Sequence, residues 1–95
     1  MRVKVHYLGL VKNYTTASQD EFDVKEASPL SELLYDVAEK YGKPFTQEVY
    51  DPTQKEMKAT FVAMVNGVLM DQLQGVNTLL KNGDNVTIMA LMTGG

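Results

Sequence analysis

The sequence contains no cysteine and no tryptophan, and only one histidine and three prolines in 95 residues. Without cysteine there is no disulfide scaffold, no thiolate metal site and no thiol nucleophile. Basic blocks are missing too. Acids and bases are interspersed, as in Lys25-Glu26 and Glu39-Lys40, and the formal net charge is −3. Nucleic acid is therefore not expected as a partner. No apolar run approaches the roughly 20 residues that cross a bilayer, so no membrane partner is expected. Met1 to His6 alternates apolar and polar residues and lacks the continuous apolar stretch of a signal peptide. The expectation is a soluble, cytoplasmic protein. No glycine-rich loop suited to cradle a nucleotide is present, and neither a cofactor nor a metal is expected on this chain.

What is present describes one small domain. Val3, Val5 and Tyr7 alternate with Arg2, Lys4 and His6, which marks a half-buried strand. The stretch from Lys12 to Asp20 is too polar for core. Phe22 and Val24 then alternate with Glu21, Asp23 and Lys25 in a second strand, antiparallel to the first. Ser28 is expected to cap a helix whose first residue is Pro29. Leu30, Leu33, Leu34, Val37, Ala38 and Tyr41 form its apolar stripe, and Gly42 ends it. Phe45 to Tyr50 adds a helical turn, and Asp51 to Lys58 reads as a surface loop. Thr60 to Val65 is a strand, Asn66-Gly67 a tight hairpin turn, and Val68 to Met70 the return strand. Leu73 to Leu80 is a loop with one irregular turn, Lys81 to Asp84 a turn, and the strand containing Val86, Ile88 and Ala90 comes last. The order is β-β-α-β-β-β. One helix with one apolar stripe, laid on a mixed sheet of about five strands, makes a two-layer α+β domain.

This order resembles the ubiquitin-like β-grasp fold, and the local motifs resemble the MoaD/ThiS family of sulfur carriers. That family includes the small subunit of molybdopterin synthase, the thiamine sulfur carrier and archaeal small modifier proteins. The residues that carry the resemblance are Val5 to Leu10, Ser28-Pro29-Leu30, Lys40-Tyr41-Gly42, Val65-Asn66-Gly67, Leu80 to Asp84 with Val86 and Ile88, and the final Gly94-Gly95. It covers nearly the whole chain. The length and the Leu73–Leu80 stretch are more similar to the molybdopterin and archaeal modifier branch than to the thiamine carrier. Molybdopterin synthase small subunits commonly carry Pro-Pro just ahead of the Gly-Gly end, where this sequence has Ala90-Leu91.

The resemblance implies a globular domain over 1–92 and a flexible tail over 93–95. It implies a site at the Gly95 carboxylate. A ubiquitin-activating-type adenylyltransferase would transfer AMP from its own ATP to that carboxylate, and sulfur would replace the AMP to leave a thiocarboxylate. The acceptor would be the molybdopterin synthase large subunit or another sulfur acceptor. The alternatives are conjugation through Gly95 to lysines of other proteins, or sulfur delivery to thiamine or tRNA thiolation. A tail of Thr93, Gly94 and Gly95 suits a narrow channel, because glycine has no Cβ and tolerates conformations other residues avoid. Two terminal glycines alone mean little; their weight comes from the fold that delivers them.

Ile88 to Met92 is apolar on both alternating faces, yet one helix covers one face of a sheet. Met89 and Leu91, with Met64 on the neighbouring strand, are thus expected on an uncovered apolar patch, or beneath the inserted loops. Together with Met92, Thr93 and Gly94 they form the expected partner surface. His6 is expected to face solvent. Asp20, Glu21 and Asp23 are expected to form a solvated strand edge. No side chain is expected to catalyse on its own.

Overall fold

A computed structural model describes residues 1–91. Strands β1 (Arg2–Leu8) and β2 (Gln19–Asp23) pair antiparallel, with Val3 opposite Phe22 and His6 opposite Gln19. The main helix α1 (Leu30–Tyr41) is followed by a short helix α2 (Lys43–Glu48). A two-stranded ribbon, β3 (Tyr50–Asp51) and β4 (Glu56–Met57), precedes β5 (Phe61–Val65), β6 (Val68–Leu69) and β7 (Asn85–Ala90). The main sheet has the order β2-β1-β7-β5-β6. β7 lies at its centre, parallel to β1 and antiparallel to β5.

The alternation in the strands determines which side faces α1. Val3, Val5 and Tyr7 of β1, Phe61, Ala63 and Val65 of β5, and Val86 and Ile88 of β7 are all buried. They form one cluster with Leu30, Leu33, Leu34, Val37 and Ala38 of α1. The hairpin turn has the expected geometry: Asn66 and Gly67 have φ of 51° and 82°, the positive values that a type I′ turn needs at both central residues.

Several local expectations need correction. The helix begins at Leu30, one residue later than the Ser28 cap implies, and Pro29 sits at the N-cap position in an extended conformation. The Ser28 hydroxyl instead donates back to the Lys25 carbonyl at 2.7 Å. The helix start is satisfied from the far loop: Leu30 N–H donates to Thr78 O, and Leu80 N–H donates to Ser28 O. A distant backbone has replaced the local cap. The Asp51–Lys58 segment is not plain loop, since Tyr50 pairs with Met57 and Asp51 with Glu56. A 3₁₀ turn, Gly9–Asn13, with Val11 fully buried, leads into the polar stretch Lys12–Asp20, which does contribute to the core, because Thr15 is buried and Tyr14 packs against it. The return strand stops at Leu69, and a 3₁₀ turn occupies Met70–Gln72; the irregular turn expected in Leu73–Leu80 is the 3₁₀ turn Gly75–Asn77.

Asp20 departs furthest from expectation. It starts no solvated edge: its side chain is only 10% exposed. Tyr7 Oη donates to Asp20 Oδ2 at 2.9 Å, Tyr41 Oη donates to the same oxygen, and Lys40 Nζ donates to Oδ1 at 2.6 Å. The Tyr7 and Tyr41 rings meet edge-on at 5.8 Å. The carboxylate thereby ties the end of α1 to β1 and β2. Burial opposes its ionisation, but the hydrogen bonds from Lys40, Tyr41 and Tyr7 outweigh burial and hold its carboxyl below the usual value. Burial first, then Asp20, pushes the Tyr7 and Tyr41 hydroxyls above theirs.

The pH dependence follows from these directions. A carboxyl depressed in the folded state stabilises above its unfolded value, near 3.8, and that contribution is lost as pH falls through the folded value. Tyrosines raised in the folded state stabilise fully below about 10 and lose that contribution as pH rises further. Asp20→Asn should therefore lower stability by roughly 2 kcal/mol near neutrality, the scale of hydrogen bonds to a charged group. Urea unfolding across pH should show the gap between variant and parent narrowing below pH 3.8 and again above pH 10.

Candidate functional site

The two Asn-Gly motifs lie at the start of β7, and they act on one another. Asn66 Nδ2 donates to Asp84 Oδ1 at 2.9 Å, and Asn85 N–H donates to Asn66 Oδ1 at 2.9 Å. Asp84 Oδ2 accepts from Lys81 N–H at 2.7 Å. Asn82 Oδ1 accepts from Arg2 N–H at 2.7 Å, and Gly83 N–H donates to Arg2 O. These side chains fasten the turn ahead of β7 to both of its neighbours. Their role is to fix where the last strand begins and in which register it runs.

The other end of β7 is the exit of the chain. Backbone pairing with β1 continues to Met89 and with β5 to Ala90. One more bond follows, Leu91 N–H to Thr60 O at 2.6 Å. The chain is thus held on both sides up to Met89, and on the β5 side up to its last described residue, Leu91. An open groove of about 400 Å³ adjoins this exit, lined by Leu8, Gly9, Leu10, Thr60, Met89, Ala90 and Leu91. Leu8, Leu10 and Leu91 are 49%, 49% and 45% exposed.

The register extends the apolar surface across the sheet. Leu8 pairs with Met89, and Met89 with Val62. Met64 pairs with Thr87 on one side and with Leu69 on the other. Residues directly opposite in a sheet share a face, so Leu8, Met89, Val62, Met64 and Leu69 lie on the side away from α1. Met64, Val62 and Met89 are half-buried, while Leu8 and Leu69 are exposed. The structure therefore brings together Met64, Met89 and Leu91 of the expected surface. Met92, Thr93, Gly94 and Gly95 lie outside the described residues. Sequence reasoning missed Leu8, Leu10, Val62 and Leu69. Leu8 carried a usable signal: it occupies the parity of Arg2, Lys4 and His6, where an apolar side chain breaks the pattern.

Side-chain chemistry is sparse. Among the described residues no three histidine, cysteine or acidic side chains gather to hold a metal. No buried side-chain nitrogen or oxygen there is without a hydrogen-bond partner, so none is left over to serve a buried ligand. His6 lies half-buried on the outer face, with Nε2 at 3.1 Å from Asn85 Oδ1. No described helix is long and apolar enough to cross a membrane. The arrangement presents a chain end beside an apolar face.

The sequence model of the ThiS family matches residues 5–95. No curated protein matches the chain. Among solved structures, SAMP1 from Haloferax volcanii superposes with a TM-score of 0.82 at 12% identity, covering 100% of both chains. A putative molybdopterin converting factor subunit 1 from Pyrococcus furiosus gives 0.74 at 22% identity, covering 94% of this chain and 95% of that one. A chain of the Amycolatopsis orientalis BexX/CysO complex gives 0.72 at 20% identity, covering 98% and 99%. These likenesses show the fold, the ubiquitin-like β-grasp with its mixed five-stranded sheet.

The two faces of β7 should respond differently to substitution. Leu91→Glu, at an exposed position, should change unfolding free energy by less than about 1 kcal/mol. Ile88→Ala, in the same segment but facing α1, should cost about 2–4 kcal/mol. Denaturant titration followed by circular dichroism measures both.

Proposed function

The chain belongs to the ThiS family of ubiquitin-like carrier and modifier proteins, and from that premise we propose that it carries sulfur as a thiocarboxylate on Gly95. One observation supports this most: the central strand is held by β1 up to Met89 and on the β5 side up to Leu91, and Thr93-Gly94-Gly95 follows at once. Four residues reach at most about 14 Å. The end of a firmly anchored strand is thereby offered at short range to a partner's active site.

The chemistry belongs to the partner. The Gly95 carboxylate oxygen attacks the α-phosphorus of ATP bound to an adenylyltransferase, and pyrophosphate leaves. A sulfur nucleophile then attacks the carbonyl carbon of the acyl-adenylate, and AMP leaves. Positioning carries much of the acceleration, and a tail of two glycines can follow a channel that side chains would block. The absence of cysteine means that no internal thiol competes for the activated carbonyl. As acceptor we favour the molybdopterin precursor bound to a large synthase subunit. The length of the chain and its Leu73–Leu80 stretch support that choice over thiamine synthesis. Leu8, Met64, Met89 and Leu91 would form the surface on which both partners dock, with Met92, Thr93 and Gly94 completing it. A second reading, conjugation of Gly95 to lysines, draws support from the similarity to SAMP1, a small archaeal modifier protein.

Intact mass after incubation with the cognate activating enzyme, ATP and a sulfur donor separates the two. Exchange of one oxygen for sulfur at Gly95 supports the carrier, whereas Gly95 remnants on target lysines support the modifier. Neither product would sink both. Deleting Gly94 and Gly95 should abolish either product and leave the thermal midpoint nearly unchanged. Met89→Glu with Leu91→Glu should weaken binding to the activating enzyme at least tenfold while the far-ultraviolet spectrum stays native; an unfolded variant would instead identify these positions as core.

A further inference from the structure

β2 forms one edge of the main sheet, and β1 is its only strand neighbour. The bonds that flank this ladder give the direction of its backbone groups. Tyr7 N–H donates to Ser18 O, and Val24 N–H donates to Met1 O. Residues of that parity, Ser18, Asp20, Phe22 and Val24, therefore turn their backbone groups to β1. Gln19, Glu21 and Asp23, all exposed, turn theirs away from the sheet. Among the described residues no backbone bond reaches them from that side. Such an edge is a template for an extended chain.

Charge differs on the two sides of this edge. On the outer face Lys4 lies opposite Glu21 and Arg2 opposite Asp23, and Arg2 Nη1 is 2.6 Å from Glu21 Oε2. That side is balanced and selects no charge. The side toward α1 is not balanced. A groove of about 260 Å³ lies there between the end of β2 and α1, and its charged lining is Asp23, Glu32 and Asp36 against Lys25. The Met1 ammonium meets Asp23 at 3.5 Å, so Lys25 stands alone against Glu32 and Asp36. Glu39 adds a carboxylate one turn further along α1, while Lys40 beside it is already paired with Asp20 at 2.6 Å. Asp36 is half-buried and, among the described residues, in no ion pair. Burial first, then Glu32 and Glu39, push its carboxyl above the usual value. A cation brought to this carboxylate relieves both effects.

We propose that the β2 edge and the groove beside it bind an extended basic segment of a partner protein, which adds as a strand along Gln19–Asp23 and sets an arginine or lysine against Asp36 and Glu32. The occupant is argued from both features together: the free backbone groups call for an extended chain, and the uncompensated carboxylates of α1 call for a basic one. A second copy of this chain does not fit. Two β2 strands paired antiparallel about Glu21 would set Glu21 against Glu21, and like charges directly opposite are destabilising. The groove lies at the Arg2 end of β1, which adjoins the turn ahead of β7. The chain leaves β7 at the other end, beside Leu8. A segment bound at β2 therefore leaves the exit open to another protein. The inference does not depend on the sulfur chemistry.

The probe is an acetylated and amidated peptide of alternating valine and threonine flanked by arginines, titrated into the full-length protein and followed by amide NMR. Shifts concentrated at Gln19–Val24, Glu32 and Asp36 are expected, together with about tenfold slower hydrogen exchange at the Glu21 amide. Binding should weaken with salt. Asp36→Asn combined with Glu32→Gln should weaken it about fivefold, the scale of a lost ion pair, while the thermal midpoint does not fall. Equal binding of the same peptide flanked by glutamates would remove the charge argument and overturn the proposal. Equal binding of peptides methylated on every second amide nitrogen, in both phases, would show that backbone pairing is not used and would overturn it too. So would shifts confined to Leu8, Met89 and Leu91, or no shift at millimolar peptide. None of these readouts involves Gly95, so failure at the β2 edge leaves the carrier reading standing.

Discussion

One helix can cover only one face of a five-stranded sheet. That constraint organises the molecule. α1 presents a single stripe, Leu30, Leu33, Leu34, Val37 and Ala38, and the inward residues of β1, β5 and β7 close on it. What lies on the outward parity then meets water, or is covered in part by the chain's own loops, as half-buried Val62, Met64 and Met89 are. In most of β1 and β2 it meets water, with Arg2, Lys4, Glu21 and Asp23 facing out. Across Leu8, Met89, Val62, Met64 and Leu69 it does not follow that rule. A small domain has too little core to spend apolar residues on an exposed face without a use for them. The covered face explains the fold, and the uncovered face points to what the fold serves.

The parts of the fold legible in sequence were those governed by local periodicity. Alternation in Val3, Val5 and Tyr7 identified a half-buried strand, and the 3.6-residue stripe from Leu30 to Tyr41 identified the helix. Asn66-Gly67 identified a hairpin because only certain residues accept its two positive φ angles. The misreadings came where distant groups override local preference. Ser28 has the chemistry of a cap, yet the backbone at Thr78 satisfies the helix start, and that contact joins positions almost fifty residues apart. The β3–β4 ribbon escaped notice because two-residue strands leave no periodic trace. Thr15 and Tyr14 looked like part of a polar loop because isolated core-facing residues have no period either.

The same contrast holds at the sites. Met64, Met89 and Leu91 could be read from sequence as apolar residues at outward parity. Asp20 could not. A carboxylate amid Gln19, Glu21 and Asp23 has the composition of a solvated edge. Only the pairing of β1 with β2, and the return of α1 across them, brings Tyr7, Tyr41 and Lys40 to it. Three donors to one carboxylate make a polar junction that holds because every member is satisfied. The Asn66–Asp84 fastening has the same logic at the head of β7. Its residues were noticed as family motifs, and the structure supplies the physical reason for them, a turn pinned to a turn.

The central position of the last strand joins these features. An edge strand frays, and an end carried by one would be poorly aimed. β7 instead lies between β1 and β5, is pinned at its start by Asn66 and Asp84, and remains bonded to Thr60 at Leu91. Beyond that residue, covalent geometry allows only about 14 Å. A partner that acts on Gly95 must therefore come close to the exit, and the surface waiting there is the apolar one. The reach of the tail and the position of the uncovered face thus constrain each other. A longer tail would free the partner from the sheet, and a polar sheet would give it nothing to rest on. Together they would let the proposed carrier offer the Gly95 carboxylate to a partner from a fixed strand end.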